Sequence, residues 1–562
     1  MPDIREQTLL DQLDASRFAV MRTDPLRARI RLAIRRLVVM TSVAPLSYLY
    51  VGIYKLHLKY ALRVLSKFPG VHSIYVTGGM TSGDMVPGIS DIDLVVVGKW
   101  NDEQQMRVSY AMRRLSALSP LYDAQLGGNA HTISSLITMY ETDYFFQFRL
   151  NLGRTRWKRI YGEDLFTLLP PLAPEKVAGG YYSEVRLWWE QFVDSAFGFG
   201  VTSRDEIFRN SIAYKTVVGI QKMDLALQGS EITGARKEVI QAVINQTSDA
   251  EEKGFLLRLQ RSADHRFLNF EGNAQEQAFR YLIGLMERIH QRLPGALTFQ
   301  PLPEAVDLDA SAADMMICES SHQHLHGVVS LVSKEWPGYI SASVVPSLSF
   351  FYPDDLVLMI EVNPSKLPTV DQIRELCRRQ LEAAPGLRQR VALFLLLPHG
   401  AYQLEILSSA EFWHHTLCQP ANPEVFALLG RPEFLIDGTT QRKPADPVWT
   451  RFASDQVAEE ITVRRSAFSK AAEAAGTLRS VDLLRNLWRQ VQLEIIYRSA
   501  ESGTISLPLT VPAMLRTLKS WGLPEDSVFT RLADGYRSEM DGVPVDAHAM
   551  LPEVMELLVM FQ

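Results

Sequence analysis

The sequence predicts an α/β protein, a mixed sheet with helices, joined to all-α domains and arranged as a tandem duplication. Three observations carry that prediction. The first is VHSIYVTG, a β-branched run followed by a glycine-rich loop and a second apolar run, DIDLVVVG. The second is helical spacing over residues 102–117 and over the long stretch from Ala173 to Leu297. The third is the return of the same order later in the chain. Strand-like YISASVVPSLSFFYPDDLVLMIEV and RVALFLLLP there enclose the helical stretch TVDQIRELCRRQLEAAP.

In chain order, the first segment is helical and rich in arginine: Arg5, Arg17, Arg22, Arg27, Arg29, Arg31, Arg35 and Arg36. It reads as a solvated helix face before an anion-binding surface. No charge interrupts LVVMTSVAPLSYLYVGIY between Leu37 and Tyr54, a run with the length of a membrane span. Pro45, Gly52, hydroxyl side chains and tyrosines dilute it, so a buried core helix broken near Pro45 is expected. LHLKYALRVLSKF continues in helical spacing until Pro69-Gly70 stops it. After the two strands and the 102–117 helix, PLYDAQL reads as a third strand. LPGALTFQPLPEAVDLDASAAD marks a linker, Thr369 is an expected helix N-cap, and the chain from Pro447 onward reads as helical.

The expected domains are therefore 1–68, N-terminal helices; 69–168, an α/β core; 169–297, helical; 298–440, a second α/β domain; and 441–562, helical. Asp355 in DDLVLMI parallels Asp93 in DIDLVVV, and Gly503 parallels Gly229. Both pairs lie roughly 260 to 275 residues apart, which favours duplication.

A chain of 562 residues with 47% hydrophobic and 22% charged residues supports several cores and argues against disorder. The net charge of −6 argues against a general basic coat for nucleic acid, though not against a local basic groove. Cys318, Cys377 and Cys418 form no CxxC pair, so no disulfide framework is expected. The start MPDIREQ lacks a signal-peptide pattern, and a cytoplasmic location without membrane association is expected.

The chemistry concentrates at Asp91-Ile92-Asp93. Residues two apart on a strand share a face, so Asp91 and Asp93 present two carboxylates side by side while Ile92 points to the core. Adjacent carboxylates repel, and a hard divalent cation such as Mg²⁺ relieves that repulsion while taking phosphate oxygens. Ahead of them, Gly78, Gly79 and Gly83 permit positive φ and close ligand approach. Thr81 and Ser82 add hydroxyl donors to backbone N–H groups that can cradle an anion. A phosphate loop beside a carboxylate pair suits a nucleoside triphosphate with its metal.

The spacing from Gly78-Gly79 through Ser90 to DIDL resembles the signature of the DNA polymerase β-like nucleotidyltransferase superfamily. That group includes antibiotic nucleotidyltransferases, tRNA-modifying toxins, protein AMP-transferases and oligonucleotide synthases. The resemblance is strong from Ile74 to Phe166 and implies a nucleotidyltransferase fold for 69–168. It implies that Gly78 and Gly79 open the phosphate loop, with Ser90 beside it, and that Asp91 and Asp93 bind Mg²⁺ or Mn²⁺. The family's third carboxylate falls best on Asp123 in LYDAQL, with Glu141 and Asp143 as further candidates. RIYGEDLF resembles the Tyr-Gly element of antibiotic nucleotidyltransferases. Gly79 stands where many members carry serine.

The expected activity is transfer of a nucleotidyl group from an NTP, ATP first, to an acceptor, with release of pyrophosphate. A small hydroxylated acceptor comes first, then a protein side chain or a tRNA end. The alternative is a non-catalytic nucleotide-binding scaffold. In the second copy, Pro353 stands at the first aspartate position and no glycine pair precedes it, so that copy reads as degenerate.

Other features carry less. SHQHLHG (His322, His324, His326) reads as an exposed loop or edge strand before a zinc site. HHTLC lacks finger spacing. Arg154, Arg156, Lys158 and Arg159 form a basic cluster that suits either a polyanion or a solvated edge. Trp188-Trp189 reads as helix packing.

Overall fold

The computed structural model describes residues 25–117, 130–142, 144–171, 174–199, 203, 205–230, 235–270, 272–292, 300–301, 319–346, 356–383, 391–404, 435–439, 448–449, 518–522, 528–540, 545–546, 549–550 and 552–553. The chain divides into two compact units, Ala19–Leu297 and Thr298–Gln562, the latter grouped with Met1–Phe18.

The Ala19–Leu297 unit opens with α1 (Pro25–Thr41) and α2 (Leu46–Leu65). The break falls at the expected Pro45. Burial is one-sided, however, and not that of a core helix. Val38, Val39, Tyr54, Ala61 and Leu65 are buried, while Leu37, Met40, Leu49 and Leu56 are exposed. Among the described residues no helix is long and apolar enough to cross a membrane. The arginine reading also needs correction at Arg35. This side chain is buried rather than solvated, while Arg29 and Arg36 are exposed.

Next come β1 (Val71–Thr77), a short helix α3 (Gly79–Ser82), β2 (Asp93–Gly98), α4 (Asp102–Ala117), β3 (Ala130–Thr132), α5 (Ile133–Thr142), α6 (Tyr144–Arg156) and β4 (Lys158–Gly162). The strands lie in the order β3-β2-β1-β4. β1 is antiparallel to β2 and β4, and β2 is parallel to β3.

Strand alternation explains why both faces are covered. Ile74, Val76, Leu94 and Val96 pack with Tyr54, Ala61 and Leu65 of α2 and with Val108, Met112 and Leu115 of α4. Tyr75 and Val97 face the other way and pack with Leu136, Tyr140 and Leu150 of α5 and α6. Fully burying each such aliphatic side chain contributes about 1.5–3 kcal/mol.

The helical layer of this unit is α7 (Pro174–Phe197), α8 (Glu206–Leu227), α9 (Arg236–Gln246), α10 (Ala250–Asp264) and α11 (Ala274–Arg292). α8 is buried on most of its surface and is packed by α7, α9, α10 and α11. Asp205 caps it by accepting from the N–H groups of Ile207 at 3.0 Å and Phe208 at 3.4 Å. Trp189 stacks on Phe192, and the Trp188 ring fills the space over Gly219. The tryptophan pair is thus helix packing.

The second unit has its own sheet. It contains α12 (Glu319–Glu335), β6 (Tyr339–Pro346), β7 (Leu356–Val362), α13 (Val370–Ala383), β8 (Val391–Leu396), β9 (Ala401–Gln403) and β10 (Leu435–Gly438). Strand order is β10-β6-β7-β8-β9. Thr369 caps α13 as expected: its Oγ1 accepts from the Gln372 N–H at 3.2 Å, and Gln372 Oε1 accepts from the Thr369 N–H at 2.9 Å. β5 (Gln300–Pro301) pairs with β11 (Val448–Trp449), so the region after Pro447 is not wholly helical. Of that region α14 (Val528–Met540) is a described helix.

SHQHLHG lies within α12, where a loop or edge strand was expected. HHTLC, Gly503, and the Pro353 to Asp355 segment lie outside the described residues.

Asp205 joins a cap to an ion pair with Arg36 of α1 at 3.5 Å. Asp205→Ala should therefore cost about 1 kcal/mol, or somewhat more, in urea unfolding, and Asp205→Asn should recover most of it.

Candidate active site at the start of the second strand

β1 and β2 run antiparallel, so the end of one meets the start of the other: Thr77 pairs with Asp93. The connection between them, residues 78–92, is built to hold that junction. Gly78 has φ +69°, and a Cβ there would lie 2.0 Å from Asp93 Oδ2. Any side chain at Gly78 therefore collides with the carboxylate. Gly79 is different, because a Cβ at that position would meet nothing closer than Ser90 Oγ at 3.6 Å. The short helix α3 begins there, and the Gly78 carbonyl accepts from Thr81 Oγ1 at 2.9 Å and Ser82 Oγ at 3.4 Å.

The last turn before the aspartates is clamped from α1 and α2. Arg35 donates from Nε to the Gly88 carbonyl at 2.7 Å and from Nη2 to the Ile89 carbonyl at 3.2 Å. Its guanidinium also lies over the Phe208 ring of α8. The Tyr54 hydroxyl donates to the Ser90 carbonyl at 2.9 Å and accepts from the Gly88 N–H at 3.1 Å. Burial pushes that phenol up to about 12. Gly88 has φ +86° and abuts the Arg35 carbonyl, which leaves no room for a side chain. Ser90 is buried, and its Oγ accepts from the Val86 N–H at 2.8 Å. Its hydroxyl thus closes the turn that delivers Asp91.

Burial then alternates: Ser90 and Ile92 are buried, while Asp91 and Asp93 are partly accessible. The carboxylates share one side, as the spacing predicts. The Asp93 carboxyl is pushed up to about 7, first by desolvation and then by the Asp91 charge. Arg149 of α6, Lys215 of α8 and Arg236 of α9 oppose that rise. Lys215 is pushed down, chiefly by burial, while Asp91 and Asp93 favour its charged form. Lys222, two turns along α8, is pushed down to about 7 by burial and by the charges of Arg156 and Arg236. Asp84 in the loop accepts from the Arg236 backbone N–H at 3.0 Å, which ties the start of α9 to the connection between β1 and β2. Arg149 also pairs with Glu184 of α7.

The structure therefore brings together Gly78, Gly79, Thr81, Ser82, Ser90, Asp91 and Asp93. Asp123 and Asp143 lie outside the described residues, and Glu141 lies within α5. The described strand on the side of β2 away from β1 is Ala130–Thr132. Arg35, Tyr54, Asp84, Lys215 and Arg236 are the contributors that sequence reasoning missed. Arg35 is one of five arginines in α1 and Tyr54 one of four tyrosines in α2, so nothing local marks either role. Of the basic cluster, Arg154 is structural, donating to the carbonyls of Phe166, Leu169 and Pro170, while Lys158 and Arg159 are exposed on β4. In RIYGEDLF, Asp164 accepts from the Tyr75 hydroxyl at 2.9 Å and caps the following turn, so the element pins the end of β4 to β1.

A family model described as "Nucleotidyltransferase domain" matches residues 58–133, which span α2 to the start of α5 and include both aspartates. Residues 58–133 thus match the nucleotidyltransferase-domain family. A solved structure of spectinomycin adenyltransferase AAD(9) from Enterococcus faecialis, with ATP and spectinomycin, is similar at 16% identity and a TM-score of 0.31. That likeness covers 42% of this chain and 98% of the other. No curated protein matches the chain.

Two outcomes test this geometry. Asp93 holds its proton to higher pH when folded than when unfolded. The folded state therefore binds more protons between about pH 4 and 7, and metal-free stability falls as pH rises through that window. In thermal melts with chelator at pH 8, Asp93→Asn should melt higher than the natural chain, and added Mg²⁺ should stabilise only the latter. Gly78→Ala should abolish nucleotide binding, whereas Gly79→Ser should preserve it in equilibrium titrations.

Proposed function

We propose that this chain transfers a nucleoside monophosphate from an NTP, ATP first, to an acceptor hydroxyl and releases pyrophosphate. The observation that carries the reading is the Asp91–Asp93 pair, held at close quarters beside Gly78, with Asp93 raised toward neutral pH by burial and by the Asp91 charge. Such a pair fits a divalent cation, because binding removes the penalty that raises Asp93. Asp91 and Asp93 would hold Mg²⁺ or Mn²⁺, which supplies neutralisation of the triphosphate charge.

The chain's own groups do the rest. Gly78 and Gly79 let backbone approach the phosphates, with Thr81 and Ser82 at the rim and Ser90 fixing the turn. Lys215 and Arg236 add positive charge opposite the aspartates, where a triphosphate would carry its negative charge. The acceptor oxygen attacks the α-phosphorus, and the bond to the β-phosphate breaks with its electrons leaving on pyrophosphate. The hydroxyl proton passes to a carboxylate, for which Asp123 is the candidate. Positioning and charge neutralisation supply most of the rate.

The acceptor is proposed to be a small hydroxylated molecule. The support is the helical layer α7–α11, which brings Lys215, Lys222 and Glu184 into the same electrostatic neighbourhood as the catalytic loop.

The second sheet is proposed to be a degenerate duplicate. Four of its strands, β10-β6-β7-β8, repeat the order and directions of β4-β1-β2-β3: antiparallel, antiparallel, parallel. A helix precedes β6 as α2 precedes β1, and α13 links β7 to β8 as α4 links β2 to β3. At the junction where Thr77 meets Asp93 in the first sheet, Pro346 meets Leu356 in the second.

Incubation with each labelled NTP, Mg²⁺ and candidate acceptors should release pyrophosphate and yield an acceptor one nucleotidyl group heavier by mass spectrometry. Asp91→Ala and Asp93→Ala should each lower the rate about a hundredfold or more, and Lys215→Met about tenfold or more. Asp355→Ala should leave it unchanged. Absence of turnover with every NTP across small-molecule, protein and tRNA acceptors would sink the proposal. Modification of a protein or tRNA alone would replace the proposed acceptor class.

A further inference from the structure

α12 places His322 and His326 one helical turn apart on an exposed face. Their rings are 4.4 Å apart between centroids, and the two Nε2 atoms lie 3.2 Å from each other. The middle histidine does not join them. His324 turns away to Gln380 of α13, whose side-chain N–H in turn donates to the Val391 carbonyl of β8. The alternating pattern of the sequence is thus divided by helix geometry into one structural histidine and one convergent pair.

The separation of the pair is informative. Two imidazole nitrogens bound to one ion at about 2.1 Å, with an angle between right and tetrahedral, sit about 3.0–3.4 Å apart. The observed 3.2 Å falls inside that range. Either one ring donates an N–H to the other, or both lone pairs point at a shared cation. Imidazole nitrogen selects borderline ions of the Zn²⁺, Ni²⁺ and Cu²⁺ class over Mg²⁺, which prefers oxygen. Among the described residues no group of three or more His, Cys, Asp or Glu forms around a common point. The remaining coordination positions would therefore face solvent or an added ligand.

We propose that His322 and His326 form a two-histidine chelating site for a divalent transition-metal ion, separate in ligand chemistry from Asp91 and Asp93. Occupancy would bridge the first turns of α12 and lock that helix against unwinding. Both histidines are exposed, so their replacement by glutamine keeps a helix former and removes only the chelate.

The test uses the full chain, stripped with chelator and then held in excess Mg²⁺. Zn²⁺, Ni²⁺ or Cu²⁺ is titrated against a coloured competitor, with thermal melts in parallel. The natural chain should show a metal affinity about tenfold or more above that of His322→Gln or His326→Gln, because the second ligation is intramolecular. It should also show a metal-induced rise in melting temperature that both variants lose. The same loss should appear in an Asp91→Asn/Asp93→Asn background, which separates this site from the carboxylate pair. Equal affinity and equal melting shifts in the natural chain and both glutamine variants would overturn the proposal.

Discussion

Asp91 and Asp93 repel each other, and the Ala19–Leu297 unit is organised around holding them together nonetheless. Neither residue could keep its place through attraction to the other. The restraint comes from behind, through backbone. Arg35 and Tyr54 hold the carbonyls of Gly88, Ile89 and Ser90, and the Thr77–Asp93 register fixes the next step. Each clamp is a buried polar contact, strong because the alternative is an unsatisfied group away from water. The pair is therefore held in place through α1, α2 and the sheet.

That arrangement also bears on the lysine that α8 carries beside the pair. A buried ammonium is costly unless opposing charge is close. Lys215 is pushed down by burial, and the two aspartates work against that effect. The helical layer and the sheet thus compensate each other's charges, and Asp84 strengthens the junction by binding the first N–H of α9. The same logic accounts for the glycine positions. Gly78 and Gly88 are irreplaceable because carboxylate and backbone stand where a Cβ would be, whereas a Cβ at Gly79 would meet only ordinary contacts.

Much of this was legible in the chain because local rules dominate there. VHSIYVTG and DIDLVVVG are the β-branched, apolar runs that form strands, and the 102–117 helix matches its spacing. The alternation of Ser90 and Ile92 (buried) with Asp91 and Asp93 (partly accessible) follows the two-residue spacing, although β2 itself begins only at Asp93. What was not legible depends on distant partners. Arg35 looked like its exposed neighbours, and nothing local distinguishes it; its burial is set by Gly88 and Phe208, far away in sequence. Lys215 and Arg236 carry no motif. The histidines of SHQHLHG alternate as a strand would, but the apolar positions Leu325, Val328, Val329 and Val332 follow a helical period and decide the outcome.

The central claim is that the aspartate pair exists to receive a metal–triphosphate complex. Calorimetric titration of a non-hydrolysable ATP analogue, with Mg²⁺ and with chelator, addresses it most directly. Tight binding is expected with Mg²⁺ alone, and in Asp93→Ala the analogue should bind no better with the metal than without it. Equal binding with and without the divalent ion, or metal-dependent binding that survives in Asp93→Ala, would contradict it.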